Sequence, residues 1–307
     1  MIDKGLTYKK GAKPLKKNKL NKKYDMVGWL FTLPSIVIII SFVFYPMIQA
    51  LITSLKSGMG NNLKFVGLSN YSRLFTDNIF QKSVINTLIY LVVQVPIMIL
   101  LALFISVLLN DKNLKGKAFF RTAIFLPCVT SLVAYSVIFK SLFSNDGLIN
   151  KLLLNIHLIT VPIEWITSPF WAKITIIIAI TWRWTGYNMI FYLAGLQNID
   201  PSIYEAAKID GASGVKQFFY ITVPLLKPII LFTTIISTTG TLQLFDEVMN
   251  ITKGGPGNAS TTISQYIYNL SFKYSPNFGY AAAVSYTIVI MIVALSLIQF
   301  KVAGDDK

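Results

Sequence analysis

Long apolar runs separated by short polar connections dominate the chain. Six of them, 27–55, 83–109, 122–139, 174–196, 226–245 and 280–300, are free or nearly free of charged residues. A helix crosses about 30 Å of hydrocarbon with about 20 residues, so each run is read as a transmembrane helix. The first two are long enough to tilt or to begin outside the bilayer, and the third is short. Between the third and fourth runs, Leu148, Ile149, Leu152, Leu153 and Ile156 recur at helical spacing beside Asn145, Asn150 and Lys151. This predicts an amphipathic helix at the outer interface, with Trp165 and Trp171 at headgroup level. The expected fold class is all-α: a polytopic membrane protein with six transmembrane helices.

Composition agrees. With 307 residues, 54% of them hydrophobic and 13% charged, the chain is too apolar for a soluble domain and too long for a single anchor. Basic residues are unevenly placed: nine in 1–25, four in 110–121, three in 200–227 and two in 301–307, against four in 56–82, three in 140–173 and two in 246–279. Positive charge stays on the cytoplasmic side, so both termini and the connection around Glu205 are expected in the cytoplasm. The net charge of +15 comes without an aromatic-lined basic surface, which argues against a nucleic-acid partner. The lysine-rich tail is read as topogenic, and juxtamembrane lysines also attract anionic membrane lipids. The first apolar run is too long for the core of a signal peptide and lacks a small-residue cleavage site, so it is expected to stay attached. Cys128 and His157 are each the sole residue of their type, which excludes an intramolecular disulfide and suggests no metal site.

The polar connection over 200–224 has internal structure of its own. Asp200 can cap a helix whose first position is Pro201. Gly211 supplies the left-handed residue that ends it, and Ser213 can cap a second helix running toward Tyr220 before Pro224 breaks the line into the fifth run. Ile203, Ala206 and Ala207 share one face of the first helix, where two alanines let another surface approach closely, and Glu205 sits beside them. Written as a pattern, the segment is Glu205-Ala206-Ala207, three residues, Gly211, nine residues, then Ile221-Thr222-Val223-Pro224. It resembles the EAA loop of binding-protein-dependent ABC importer permeases, with Val223 departing from the family's usual leucine. The resemblance implies that Glu205, Ala206, Ala207, Asp210, Gly211, Ala212 and Pro224 seat on a separate ATPase.

Further segments resemble the carbohydrate-uptake branch of that family, the maltose, multiple-sugar and glycerol-phosphate group. They are Tyr45-Pro46, Asp146-Gly147-Leu148-Ile149-Asn150 after Phe139 and Phe143, Trp184-Thr185-Gly186-Tyr187-Asn188, and Ile251-Thr252-Lys253-Gly254-Gly255-Pro256-Gly257 followed by Thr261 and Thr262. The last fits either a tight exit loop, since Gly-Gly-Pro breaks helices, or contact with a binding protein. The resemblance implies a type I ABC importer permease fold working by alternating access. Its divisions are a basic cytoplasmic tail over 1–25, the first helix and outer loop over 26–82, a five-helix transmembrane domain over 83–300 carrying the coupling loop 200–224, and a tail over 301–307. The implied partners are a second homologous permease, two copies of an ABC ATPase, an extracytoplasmic solute-binding protein, and a sugar.

This chain has no nucleotide site. Gly116-Lys117 is followed by Ala118 and lacks the upstream glycine of a phosphate-cradling loop, so ATP and Mg belong to the partner ATPase and this chain binds no cofactor. No nucleophile and base set appears in the runs, which argues against an enzyme. Sugar passage calls for aromatic faces and amides or hydroxyls at membrane depth: Trp182, Trp184, Tyr187 and Asn188 in the fourth run, and Thr241 and Gln243 in the fifth. Arg183 fits three readings: a partner to another helix, a pathway residue, or a side chain reaching for the interface. The alternative function is a subunit of an ion-coupled secondary transporter. Against it, acidic or histidine residues at membrane depth, which such carriers use for coupling, are missing, with Asp246 and Glu247 placed at an outer edge. A channel subunit lacks any filter-like repeat.

Overall fold

The computed structural model describes residues 19–58, 63–111 and 113–304. The basic tail up to residue 18 and the last three residues lie outside them. The chain divides into two compact units, Met1–Ile52 and Thr53–Lys307.

The first long helix is built from α1 (Lys19–Ile39), a π-helical stretch (Ile40–Phe44) and α2 (Tyr45–Ser54). Its apolar part, Met26–Ser54, is 29 residues long. The wide π turn directly precedes Pro46. A proline has no amide hydrogen and its ring crowds the carbonyl four residues back, so widening the helix there accommodates both defects.

In the second unit, a short ribbon, β1 (Lys56–Ser57) with β2 (Lys64–Phe65), pairs antiparallel and leads to α3 (Ser69–Leu74). The 33-residue α4 (Asn78–Asn110) follows, capped by Asp77, whose carboxylate accepts from the Ile79 and Phe80 amides at 2.9 and 3.1 Å. Then come α5 (Lys117–Val129), α6 (Leu132–Leu142), the amphipathic α7 (Leu148–Asn155) and the 29-residue α8 (Pro169–Gln197). The helices of the polar connection, α9 (Pro201–Ile209) and α10 (Gly214–Gln217), run through a second π stretch, Phe218–Thr222, into α11 (Val223–Leu242). The short α12 (Asp246–Ile251) and α13 (Ile263–Tyr268) precede α14 (Phe278–Gly304).

Two expectations change here. Four helical runs are long and apolar enough to cross a membrane: Met26–Ser54, Asn78–Asn110, Gly214–Leu242 and Phe278–Val302. The third expected span is a bent pair instead, α5 and α6 meeting at 101°. Thr130 at the junction is extended and Ser131 starts the new helix. The fourth is a helix of spanning length, α8, but its centre carries Thr181, Arg183, Thr185 and Asn188 and is therefore less apolar than the rest. Pro224 does not break the chain either: it sits at the second position of α11, just beyond the π stretch, and the helical run continues from Gly214 to Leu242. The arrangement matches that at Pro46.

The helices of the second unit pack through apolar clusters rich in leucine, isoleucine and tyrosine, with serine and threonine side chains buried among them. α4 lies along α8, α5 crosses α8, α11 contacts α4 and α14, and α6 lies on α12. Between α5 and α8, a methyl added at Gly186 would collide with the Ile124 carbonyl oxygen, so only glycine permits this crossing. At the α4 start, the Asp77 carboxylate also accepts from the Tyr266 and Tyr280 hydroxyls at 2.5 and 2.8 Å, joining α13 and α14 to α4. Partial burial would push this carboxyl up, but the two hydroxyls and the two capping amides outweigh burial and hold it below the usual carboxylate value.

The connection after α7 folds around Asn150, fully buried, which donates to the Asn145 and Ile163 carbonyls and accepts from the Ile163 amide and Trp165 Nε1. Four bonds from one amide side chain make an ordered cap from what could have been a loose loop. The Gly-Gly-Pro segment is likewise turned inward. Ser260, Thr261 and Thr262 are buried, Asn86 donates to the Asn258 and Thr261 carbonyls, and the Tyr90 hydroxyl donates to the Ser260 carbonyl at 3.1 Å.

Candidate functional site

A cavity of about 400 Å³ opens between α4, α8, α11 and the start of α12. Gln94 and Met98 line it from α4, Ile180, Trp184 and Tyr187 from α8, and Ser237, Gly240 and Thr241 from α11. The segment Gln243–Glu247 closes one end. The spacing explains which faces meet: Gln94 and Met98 are one helical turn apart, as are Ser237 and Thr241, while Ile180, Trp184 and Tyr187 follow a four and three step along α8.

Four of the six pathway residues expected from sequence, Trp184, Tyr187, Thr241 and Gln243, share this cavity. The Trp184 and Tyr187 rings meet edge to face at 5.7 Å. Thr241 Oγ1 donates to Gln94 Oε1 at 3.2 Å, which ties α11 to α4 across the floor. The other two lie elsewhere. Trp182 is two residues from Trp184, close to the opposite side of the helix, and packs against the rings of Tyr135 and Phe139 on α6. Asn188 is buried between α8 and α4, donating to the Trp184 carbonyl at 3.0 Å and to Met98 Sδ at 3.4 Å.

Sequence reasoning missed Gln94 and Met98, whose polar and thioether groups sit mid-run at one-turn spacing, and the placement of Asp246 and Glu247. These carboxylates line the cavity, and Glu247 is 4% exposed. The expected fifth run reaches residue 245, but α11 stops at Leu242 and the chain turns at Gln243 into the short α12 that carries both.

Arg183 is resolved among its three readings. Its Nη1 donates to the Thr130 carbonyl at 3.1 Å and its Nη2 to the Cys128 carbonyl at 3.3 Å, while the guanidinium lies 4.7 Å from the Tyr135 ring centre. The bend between α5 and α6 leaves the last carbonyls of α5 without helical partners, and a buried arginine from α8 supplies donors and a positive charge at that helix end. It pairs with a neighbouring helix and is absent from the cavity wall.

The polar connection forms the expected helical hairpin. Asp200 caps α9, accepting from the Ser202 amide at 2.9 Å, a bond that lowers its carboxyl below the usual value. Gly211 has φ +74°. Around it the Gly211 amide donates to the Lys208 carbonyl and the Ala212 amide to the Ala207 carbonyl, at 3.1 and 2.9 Å. Gln217 Nε2 donates to the Ala212 carbonyl at 2.8 Å, and the Tyr204 and Thr222 hydroxyls meet at 3.0 Å. Glu205, Ala206, Asp210, Gly211 and Pro224 are exposed, and Ala207 and Ala212 half-buried. Ile209 and Val215 stand out from the hairpin at 86% and 68% exposure. Among the described residues, no group of three or more histidine, cysteine or acidic side chains is placed to hold a metal ion.

Residues 66–301 match the family described as "Binding-protein-dependent transport system inner membrane component". The lactose transport system permease protein LacF of Rhizobium radiobacter is 57% identical over 95% of this chain and 98% of its own length. The arabinooligosaccharides transport system permease protein AraP of Halalkalibacterium halodurans is 35% identical over 92% and 89%. A crystal structure of a bacterial ABC transporter involved in the import of the acidic polysaccharide alginate superimposes with a TM-score of 0.82 at 23% identity, over 94% of this chain and 100% of that one. That likeness carries the fold. The ion-coupled alternative finds no support in these relatives. The chain therefore belongs to the binding-protein-dependent transport system inner membrane component family, as a permease subunit of the sugar-type ABC importers.

Proposed function

We propose that the cavity between α4, α8 and α11 is the sugar pathway of this permease, and that its cargo is a small saccharide of the lactose type. The observation that carries this is the joint presence in one cavity of an aromatic pair, Trp184 and Tyr187, with neutral polar groups from Gln94, Thr241 and Gln243. Indole and phenol faces stack on sugar rings, and amides and hydroxyls replace the water that a sugar gives up. The 57% identity to a lactose transport permease supports the cargo.

In this reading α8, about 43 Å long at 1.5 Å per residue, and the bent α5–α6 pair complete six crossings with the four apolar helices. Both termini are cytoplasmic, 26–82 forms the first crossing and its outer loop, and 83–300 the transporting domain. The α9–α10 hairpin, with Glu205, Ala206, Ala207, Asp210, Gly211, Ala212 and Pro224, seats on one of two ABC ATPases that use ATP and Mg. A second permease completes the membrane pair, and an external binding protein delivers the sugar. ATPase closure moves the hairpin, and the helices rock the cavity between outward and inward access.

The test is ATP-driven uptake of radiolabelled lactose by the assembled complex in vesicles. Trp184→Ala and Tyr187→Ala are each expected to lower uptake at least tenfold while ATP hydrolysis still responds to the binding protein. Uptake unchanged in both variants would overturn the assignment of the pathway, and uptake without the ATPase would overturn the importer reading.

A further inference from the structure

Resting on the reading of the cavity as the sugar pathway, we propose that its Asp246–Glu247 end makes the permease selective for neutral saccharides over anionic ones. The lining holds two carboxylates and no lysine, arginine or histidine. Glu247 is held in place on the first turn of α12, a helix packed against both α6 and α8. Its side chain is almost wholly removed from solvent and the half-buried Asp246 directly precedes it, so charge at this end of the cavity is weakly screened.

The nearest cation does not cancel this end of the cavity by facing the cargo. Arg183 is buried, outside the lining, with both Nη groups spent on the Thr130 and Cys128 carbonyls. Tyr135 packs on the same guanidinium. A guest in the cavity therefore meets aromatic faces at Trp184 and Tyr187, neutral amide and hydroxyl groups along α4 and α11, and the Asp246 and Glu247 carboxyl groups at the acidic end.

That division suits a polyol. Vicinal sugar hydroxyls donate to a carboxylate in short, charge-assisted bonds, and one carboxylate can take two of them. A guest bearing its own carboxylate or phosphate meets like charge in a site of low dielectric and offers no donor there, an arrangement that excludes wrong partners. Size and stacking would be the same for both guests, so charge is what separates them.

The test uses the purified full complex in lipid nanodiscs without the binding protein, so that the permease is the sole source of selectivity. Isothermal titration calorimetry would compare lactose, lactose oxidised to the carboxylate at C6 of its galactose, and the methyl ester of that acid. The expected result is that lactose and the ester bind at least tenfold more tightly than the acid. Glu247→Gln and Asp246→Asn should each shrink that ratio at least threefold. Asp246 is half-buried, so its variant keeps the test open if Glu247→Gln fails to assemble. An acid that binds as well as its ester, or a ratio unmoved in both variants, overturns the proposal. If neither lactose nor the ester binds to a complex whose ATP hydrolysis responds to the binding protein, the pathway reading itself falls, and this inference with it.

Discussion

Substitution at Gly211 separates backbone geometry from bulk in the α9–α10 hairpin, to which we assign the coupling role. A Cβ at this position would meet nothing within 4 Å, so no clash enters and the whole cost lies in φ +74°. Placing an ordinary L-residue in the left-handed region costs about 1–2 kcal/mol, more for a β-branched one, while asparagine visits it readily. No residue of α9 is buried, and the turn rests on local bonds from the Gly211 and Ala212 amides and from Gln217, so packing cannot absorb that cost. A shift of 1–2 kcal/mol changes the ratio of formed to opened turn by about 5- to 30-fold. ATP-driven lactose uptake, measured beside ATP hydrolysis and membrane yield, should therefore rank wild type and Gly211→Asn together, Gly211→Ala below them and Gly211→Val lowest. Membrane yield should be the same for all four. Asparagine as damaging as valine would show that size matters there and refute the backbone argument; normal uptake by the valine variant would remove the hairpin from coupling altogether.

Two further outcomes follow from the packing. Gly186→Ala places a methyl inside contact distance of the Ile124 carbonyl, so α5 must move off α8; the purified complex should melt several degrees lower, and an unchanged melting temperature would mean the crossing tolerates a wider spacing. Asp77 has a folded-state pKa held below its ordinary value, so its contribution to stability is full above the unfolded value of about 3.9 and is lost as pH falls through the folded value. Thermal unfolding of wild type should thus weaken more steeply below about pH 4 than that of Asp77→Asn, and parallel pH profiles would count against the Tyr266 and Tyr280 bonds as the cause.

The helices were legible because apolar length is a strong signal, and the α9–α10 hairpin because two caps and a left-handed glycine fall within one short segment. The failures share a physical origin: places where the backbone departs from a straight α-helix without a conspicuous residue. Thr130-Ser131 bends a span through 101° with no glycine, and its compensation, Arg183, lies over fifty residues away in sequence. Pro224 reads as a breaker, yet the π turn before it absorbs the missing amide. In the cavity, Trp182 and Trp184 look equivalent in sequence, but two residues along a helix is more than half a turn, and this alone sends Trp182 to Tyr135 and Phe139. For Asp246 and Glu247 hydropathy shows only that they follow the fifth run, and their place in the cavity lining depends on the early end of α11 at Leu242.

The joint at Thr130 divides the bent α5–α6 pair between different neighbours. Its first half, α5, is fastened to α8 at Gly186, and α8 runs directly to the hairpin through Gln197. Its second half, α6, lies on α12, the element that carries Glu247, and also meets α8 where Tyr135 and Phe139 pack on Trp182. In the proposed coupling, movement of the hairpin reaches α5 along α8 at Gly186, and reaches α6 both through the Trp182 contact and through α12. Arg183, reaching from α8 to the Thr130 and Cys128 carbonyls, fastens the joint at the point where the two halves part.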